Sequence, residues 1–263
     1  MTNLLNILHL VGAGELSPEE AAGRMRFTPF EELLDGVNLD LHRELRTGRG
    51  ECVLAKDKSQ DRLLAAMRGL AGPEGALPVL ATRVSEVQGE GLSREFPQGE
   101  WSREAGLFTM NRPLRLNPPW PRNGELMIVT AGASDMRVAL EALGTARFCG
   151  LDCGLAPDIG VAGLHRMTPW LEAFAQAKLL MVIAGMEGAL PSVIAGLTGK
   201  PVLAVPTSVG YGVSAGGFAA LAGMLSSCAA GISVFNIDNG YGAAVFADRV
   251  LRASTGWTPE RAG

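Results

Sequence analysis

The sequence predicts an α/β protein in which a smaller mixed α/β N-terminal domain precedes a parallel sheet covered by helices on both faces. Three observations predict it. Apolar runs in residues 123–263 each end in Gly or Pro and lead into a helix-compatible stretch, the pattern of repeated β-α units. Those runs lack polar alternation, so their strands are buried on both faces, as strands of parallel sheets are. Charged residues concentrate in residues 1–122, whereas Gly, Ala and aliphatics dominate afterwards. That shift divides the 263 residues into an N-terminal domain with linker, 1–122, and a second domain, 123–263.

The elements follow in order. Ser17-Pro18-Glu19-Glu20 supplies an N-cap, a proline at the first helical position and a carboxylate at the third, a capping box that starts a short helix running to about Met25. Residues 61–70 have helical periodicity, with Leu63, Leu64, Met67 and Leu70 on one stripe, and residues 77–82 form a short apolar strand. Residues 86–123 carry many Gly, Pro and charges without clear periodicity and read as a strand-poor, partly mobile linker. Strands are expected at 126–130, 179–184, 202–205 and 233–237, and helices at 136–143, 169–177, 188–197, 216–227 and 243–252. Ligands of such sheets bind beyond the carboxyl ends of the strands, and nearly every polar residue of this half falls there.

A formal net charge of −4 and the lack of Lys/Arg runs argue against nucleic acid as a partner. No stretch approaches the roughly 20 apolar residues that span a bilayer. The apolar residues 4–11 are interrupted by Asn6 and His9 and lack a basic leader and a cleavage site, so no signal peptide is expected. Four cysteines, Cys52, Cys149, Cys153 and Cys228, read as reduced thiols of a cytoplasmic protein. Cys149 and Cys153 have no third thiol or His at zinc-like spacing, which favours structural thiols over a metal pair.

Five clusters can carry chemistry. Ser134 and Asp135 close a small-residue loop that runs into a helix, where free N–H groups can hold an anion; they serve equally as helix caps. Asp158, His165 and Arg166 stand around glycines, where Arg offers a two-pronged donor to phosphate or carboxylate; the alternative is a solvated surface loop. Glu187 is one carboxylate in an apolar, glycine-flanked strand end, where desolvation would raise its pKa into the range of an acid/base group; the alternative is a carboxylate on a helix dipole. Thr207, Ser208 and Tyr211 sit in a glycine-rich loop with neither a Walker lysine nor a Gly-x-Gly-x-x-Gly fingerprint. Cys228, at a helix end, is followed by Asn236, Asp238 and Asn239 at the end of the final strand. A lone Cys is more often a small buried hydrophobe than a nucleophile.

These clusters, in this order, resemble the LarB family, which initiates synthesis of the nickel-pincer nucleotide cofactor. The resemblance rests on Asp158-Ile159-Gly160-Val161-Ala162-Gly163-Leu164-His165-Arg166, Ala184-Gly185-Met186-Glu187-Gly188-Ala189-Leu190, Pro206-Thr207-Ser208-Val209-Gly210-Tyr211-Gly212 and Ser227-Cys228 with Asn236-Ile237-Asp238-Asn239-Gly240. Asp40-Leu41-His42-Arg43-Glu44-Leu45-Arg46 and Leu80-Ala81-Thr82-Arg83 extend it to the first half. The second half is similar to PurE-type aminoimidazole ribonucleotide carboxylases through Ser134-Asp135 and His165-Arg166-Met167-Thr168-Pro169. This implies a flavodoxin-like three-layer α/β/α domain and a homo-oligomer, an octamer. Leu140, Ala133 and Leu41 depart from the family pattern, the first two near the Ser134-Asp135 loop.

The resemblance implies an enzyme that joins CO2, supplied from bicarbonate, to C5 of the pyridinium ring of nicotinic acid adenine dinucleotide. The same enzyme hydrolyses the phosphoanhydride, and the products are pyridinium-3,5-biscarboxylic acid mononucleotide and AMP. An electron-poor ring carbon cannot attack CO2, so a nucleophile must first add to the ring. Cys228 is the expected nucleophile and Glu187 the expected proton-transfer group. Ser134, Asp135, Asp158, His165, Arg166, Thr207, Ser208, Tyr211, Asn236, Asp238 and Asn239 would bind the substrate, and Mg2+ would assist the leaving AMP. A helix C-terminus disfavours a thiolate, so the cationic ring must supply the stabilising charge. Two rivals share the fold: a PurE-type carboxylase or mutase, whose substrate is already an enamine and needs no cysteine, and a non-catalytic nucleotide-binding module.

Overall fold

A computed structural model describes residues 2–25, 31–34, 37–40, 43–72 and 75–256. Its contacts divide the chain into one unit of Met1–Glu100, Phe108–Arg112 and Gly256–Gly263 and another of Trp101–Leu107 and Pro113–Thr255. The first unit opens with helices α1 (Thr2–Gly12) and α2 (Pro18–Met25), which enclose Ile7, Leu16 and Ala21. The expected capping box is present: the Ser17 hydroxyl accepts from the Glu20 N–H, and the Glu20 carboxylate accepts from the Ser17 N–H and hydroxyl. There follow β1 (Glu31–Leu34) and β2 (Val37–Leu39), paired antiparallel, α3 (Arg43–Thr47), β3 (Val53–Leu54), α4 (Gln60–Leu70) and β4 (Val79–Thr82). Leu63, Ala66 and Met67 form the buried stripe of α4. Leu41 and His42 lie outside the described residues.

The expected linker over residues 86–123 is corrected by the structure. It contains α5 (Glu86–Glu95), β5 (Glu100–Ser102) and β6 (Leu107–Met110), and β6 pairs antiparallel with β4. Two glycines in α5 hide its apolar period, and its start is set instead by a capping box between Ser85 and Gln88. The Gln88 amide also donates to the carbonyls of Ala55 and Lys58, tying α5 to the loop before α4. Residues 111–123, and the short turns at 96–99 and 103–106, keep the irregular backbone expected of a linker.

In the second unit five strands form one parallel sheet: β7 (Leu126–Thr130), β8 (Cys153–Ala156), β9 (Leu179–Ala184), β10 (Val202–Pro206) and β11 (Ile232–Val234). Their order is β11-β10-β9-β7-β8, which counted within this sheet is the flavodoxin-like 2-1-3-4-5. α6 (Met136–Phe148) packs with α10 (Gly240–Ser254) on one face. On the other, α7 (Leu171–Gln176), α8 (Leu190–Thr198) and α9 (Phe218–Leu225) enclose a core of Met127, Val129, Leu180, Val182, Phe174, Ile194 and Met224. Alternating strand residues feed the two faces. Phe174 is fully buried there, and burying such a side chain stabilises the fold by about 1.5–3 kcal/mol.

β7 and β9 match the expected bounds, and the two edge strands do not. β8 was not expected, because Cys153-Gly154-Leu155-Ala156 carries little apolar bulk. Its glycine is required by packing: a Cβ at Gly154 would lie 2.4 Å from the Met127 sulfur and 2.8 Å from the Asn123 carbonyl. β11 is shorter and earlier than residues 233–237, since Asn236–Asn239 already turns into α10. Helices expected from 169, 188 and 216 begin later, at Leu171, Leu190 and Phe218; 3-10 turns at Val161–Trp170 and Gly212–Gly217 fill the loops before α7 and α9.

Candidate active site at the strand carboxyl ends

Because all five strands are parallel, the loops that leave their carboxyl ends gather on one edge. The strand order reverses between β7 and β9, the point where such sheets open a crevice. On the β7 side, Ser134 is exposed while Asp135 is only 3% exposed. The Asp135 carboxylate accepts from the Gly132 N–H at 2.9 Å and from the Thr207 hydroxyl at 2.7 Å, and a third bond comes from the Gly185 backbone. Burial pushes this carboxyl above its ordinary value of 3.8, the three hydrogen bonds pull it down, and the charge of Asp238 pushes it up. Asp135 therefore lies beneath the loops and links three of them.

The loop after β8 carries Asp158, with φ +52°, and its N–H donates to the hydroxyl of buried Thr130. Asp158 pairs with Arg166 at 3.1 Å, both side chains remaining well exposed. The guanidinium lies over glycine backbone, since a Cβ at Gly163 would stand 2.9 Å from its Nε. His165 is exposed beside it and makes no hydrogen bond to the described residues. Farther on, the Arg122 guanidinium stacks 4.1 Å from the Trp170 ring and donates to the Pro169 carbonyl, anchoring the end of this segment.

After β9 the chain turns sharply through Met186 (φ +53°), Glu187 and Gly188 (φ +67°). The Met186 N–H donates to the Val209 carbonyl and the Gly188 N–H to the Gly185 carbonyl. The Glu187 side chain is exposed and has no bond to the described residues, so the burial expected from its apolar neighbours is not supplied by this chain. Ala184 and Leu190 point into the core, whereas the turn aims Glu187 outward. Glu187 stands two residues ahead of Ala189, the N-cap of α8, where no side-chain cap hydrogen bond is made, so α8 acts on it through the helix dipole alone.

Thr207 is fully buried and Ser208 exposed; the Ser208 N–H donates to Asp238 at 2.8 Å. Tyr211 is 77% exposed, next to Val213 at 95% and Phe218 at 72%. The Asn236 and Asn239 carbonyl oxygens serve the backbone: Asn236 accepts from the Ile237 N–H, and Asn239 caps α10 through the Gly242 N–H.

Cys228 differs from the rest in topology. It lies between α9 and β11, not beyond a strand. Two contacts pack α9 and the residue before Cys228 against the Glu187 turn and the start of α8. A Cβ at Gly223 of α9 would meet the Glu187 carbonyl at 2.4 Å, and Ser227 shares a 2.7 Å hydrogen bond with Ser192 in the first turn of α8. Of the four free cysteines it is the exposed one. Cys149 and Cys153 are buried, and burial pushes the Cys153 thiol up to about 12, which makes it inert, as expected of a structural thiol.

Sequence reasoning missed Thr130 and the part played by Glu141. Glu141 is 5% exposed and accepts from the Tyr241 N–H, fixing the start of α10 against α6. Both act across long sequence separations, and no local motif announces them. Among the described residues no group of three or more His, Cys, Asp or Glu is placed to hold a metal ion. No helix among them is long and apolar enough to cross a membrane.

Residues 30–112 match the LarB/PurE-like N-terminal domain, and residues 125–260 match the AIR carboxylase domain. An uncharacterized protein of Methanocaldococcus jannaschii is 36% identical over 258 residues, 95% of this chain and 97% of that one. The N5-carboxyaminoimidazole ribonucleotide mutase of the same organism is 29% identical over 129 residues, 48% of this chain and 78% of the mutase. The AIR carboxylase match falls on the flavodoxin-like sheet and its crevice, with the LarB-type domain ahead of it, and the chain belongs to the LarB family.

Proposed function

We propose that the protein carboxylates C5 of the pyridinium ring of nicotinic acid adenine dinucleotide and hydrolyses its phosphoanhydride, giving pyridinium-3,5-biscarboxylic acid mononucleotide and AMP. The observation that carries this reading is the exposed thiol of Cys228, which follows a helix packed through Gly223 on the Glu187 turn and a serine bonded to Ser192 of α8. Carboxylation of an enamine substrate needs no thiol; carboxylation of an aromatic cation does.

In the proposed sequence the Cys228 thiolate adds to C6, and the electron pair displaced into the ring makes C5 nucleophilic. C5 attacks CO2. Glu187 takes the C5 proton, the C6–S bond breaks, and the thiolate leaves as the aromatic ring is restored. The cationic ring offsets the unfavourable position of an anion at the end of α9. Arg166 and His165 would bind phosphate or carboxylate, with Asp158 holding the guanidinium in place. Ser134, Ser208, Tyr211, Asn236 and Asn239 would line the remaining walls, with Asp135 and Thr207 beneath them. A Mg2+ ion carried mainly by the substrate's phosphates would keep several of its waters and need few protein ligands, with Asp158 and Asp238 reaching it directly or through water. Such an ion would neutralise the pyrophosphate and the leaving AMP.

Exposure of Tyr211, Val213, Phe218 and Leu225 beside the site supports assembly of copies into a homo-oligomer, an octamer by family resemblance. A partner surface there would supply the desolvation that Glu187 lacks in one chain. We place the enzyme in the cytoplasm, where thiols stay reduced.

Incubation of the protein with nicotinic acid adenine dinucleotide, bicarbonate and Mg2+, followed by mass analysis, tests the reading. The expected products are AMP and a mononucleotide that has gained one carboxyl group. Turnover of carboxyaminoimidazole ribonucleotide with none of the dinucleotide would instead establish the mutase reading, which the similarity to the archaeal mutase favours.

A further inference from the structure

We propose that Asp135 is a positioning residue that works through Thr207, fixing the separation of the loops after β7, β9 and β10, and so the width of the crevice, without touching the ligand. Its carboxylate is turned away from solvent, and its bonds go to Gly132, Gly185 and Thr207, one residue in each loop. Thr207 in turn leaves no room beside Gly185: a Cβ there would lie 2.7 Å from the Thr207 hydroxyl and 2.3 Å from the Val209 carbonyl. From the far side, Asp238 accepts from the Ser208 N–H, while its own N–H donates to the Pro206 carbonyl. The pair Thr207-Ser208 is thus held between two carboxylates that come from the loops after β7 and β11. A buried side chain whose bonds tie its own loop to two neighbouring ones sets geometry, whereas the exposed residues above it, Ser134 and Ser208, are the ones able to meet a ligand.

The kinetic arm of the test rests on the proposed function, and the exchange arm does not. Asp135→Asn, Thr207→Val, Thr207→Ser and the double variant Asp135→Asn/Thr207→Val are compared as full chains. In hydrogen exchange, Asp135→Asn and Thr207→Val should each loosen the peptides that cover residues 131–136, 184–189 and 206–212. The double variant should exchange no faster than the faster single, and Thr207→Ser, which keeps the hydroxyl, should retain protection. If Asp135→Asn does not fold, Thr207→Val still reports on all three loops.

With nicotinic acid adenine dinucleotide as substrate, each single variant should lose about tenfold or more in kcat/KM, mostly through KM. The double variant should fall within about twofold of the worse single, as residues acting as one unit do. Multiplicative losses, or exchange confined to the mutated residue's own loop, would overturn the proposal. Absence of any wild-type turnover would defeat the functional reading and leave the exchange result to decide this one.

Discussion

Replacing Gly185 by Ala adds one methyl group where the loops after β9 and β10 meet, and the structure sets its cost. The new Cβ would lie 2.3 Å from the Val209 carbonyl oxygen, 2.7 Å from the Thr207 hydroxyl and 2.9 Å from the Val209 Cβ. The nearest atom is backbone, and it already accepts a hydrogen bond from the Met186 N–H at 2.9 Å. Ordinary contact begins near 3.4 Å, so a hydrogen-bonded loop must retreat by roughly 1 Å. Overpacking of this kind costs about 1–3 kcal/mol. For a domain of this size each kcal/mol shifts Tm by about 2–4 °C, so Gly185→Ala should melt about 2–12 °C below wild type. Gly196→Ala is the control. It stands in α8 with no atom within 4 Å of the added methyl, and there Ala should stabilise the helix by about 0.5–1 kcal/mol. Thermal melts followed by circular dichroism at one protein concentration compare the two variants. A Gly185→Ala protein that melts with or above wild type would show that the loops after β9 and β10 are not in the close contact described.

Three further outcomes are expected. Cys228→Ser should abolish a reversible one-to-one adduct with nicotinamide adenine dinucleotide, seen as dearomatised-ring absorbance, while Cys149→Ser and Cys153→Ser keep it; an adduct on another thiol refutes the mechanism. Glu187→Gln should lower turnover by about a hundredfold or more with folding intact, and near-normal turnover would remove it from proton transfer. Asp135 has a carboxyl raised in the folded state, so its ionisation opposes folding and its stabilising contribution is complete only below pH 3.8, being lost as pH rises through the raised value. In urea titrations the stability of wild type relative to Asp135→Asn should therefore grow as pH falls from 7 towards 4, and a constant or shrinking difference would contradict the burial of this group.

The central strands were readable because burial on both faces leaves an uninterrupted apolar run, and β7 and β9 have the bounds that their runs predict. Edge strands lose that signal. β8 holds its place through a glycine that admits the Met127 sulfur, and β11 ends early because Asn236 and Asn239 are committed to turning the chain into α10. The error over residues 86–110 has another cause: α5 is specified at its start by Ser85 and Gln88, and a search for periodicity passes over a helix defined by its cap. Within the site, residue types and strand-end position were legible, but their connections were not. Asp135 meets Thr207 across 72 positions and Tyr241 meets Glu141 across 100, pairings that exist only once the sheet is assembled.

That difference separates two layers of the candidate site, and the sequence mixed them. Ser134 and Asp135 are adjacent and read from the sequence as an anion-binding pair or as helix caps; the chain places the first in solvent and the second beneath the loops, where it accepts from the Gly132 N–H. Thr207 and Ser208 divide in the same way, with the buried threonine bonded to Asp135 and the exposed serine anchored by its N–H to Asp238. In each of these two pairs one side chain faces the sheet and the other faces solvent. Cys228 and Glu187 lie outside this scheme. Both are exposed, on a helix-to-strand turn and on a turn forced through positive φ, and they are joined by α8 and α9 instead of by carboxylate bridges. Groups that must meet a reacting ring belong on that exposed side, whereas the Asp135 and Asp238 bridges fix the walls; disturbing the first pair should remove chemistry, and disturbing the second should alter binding geometry.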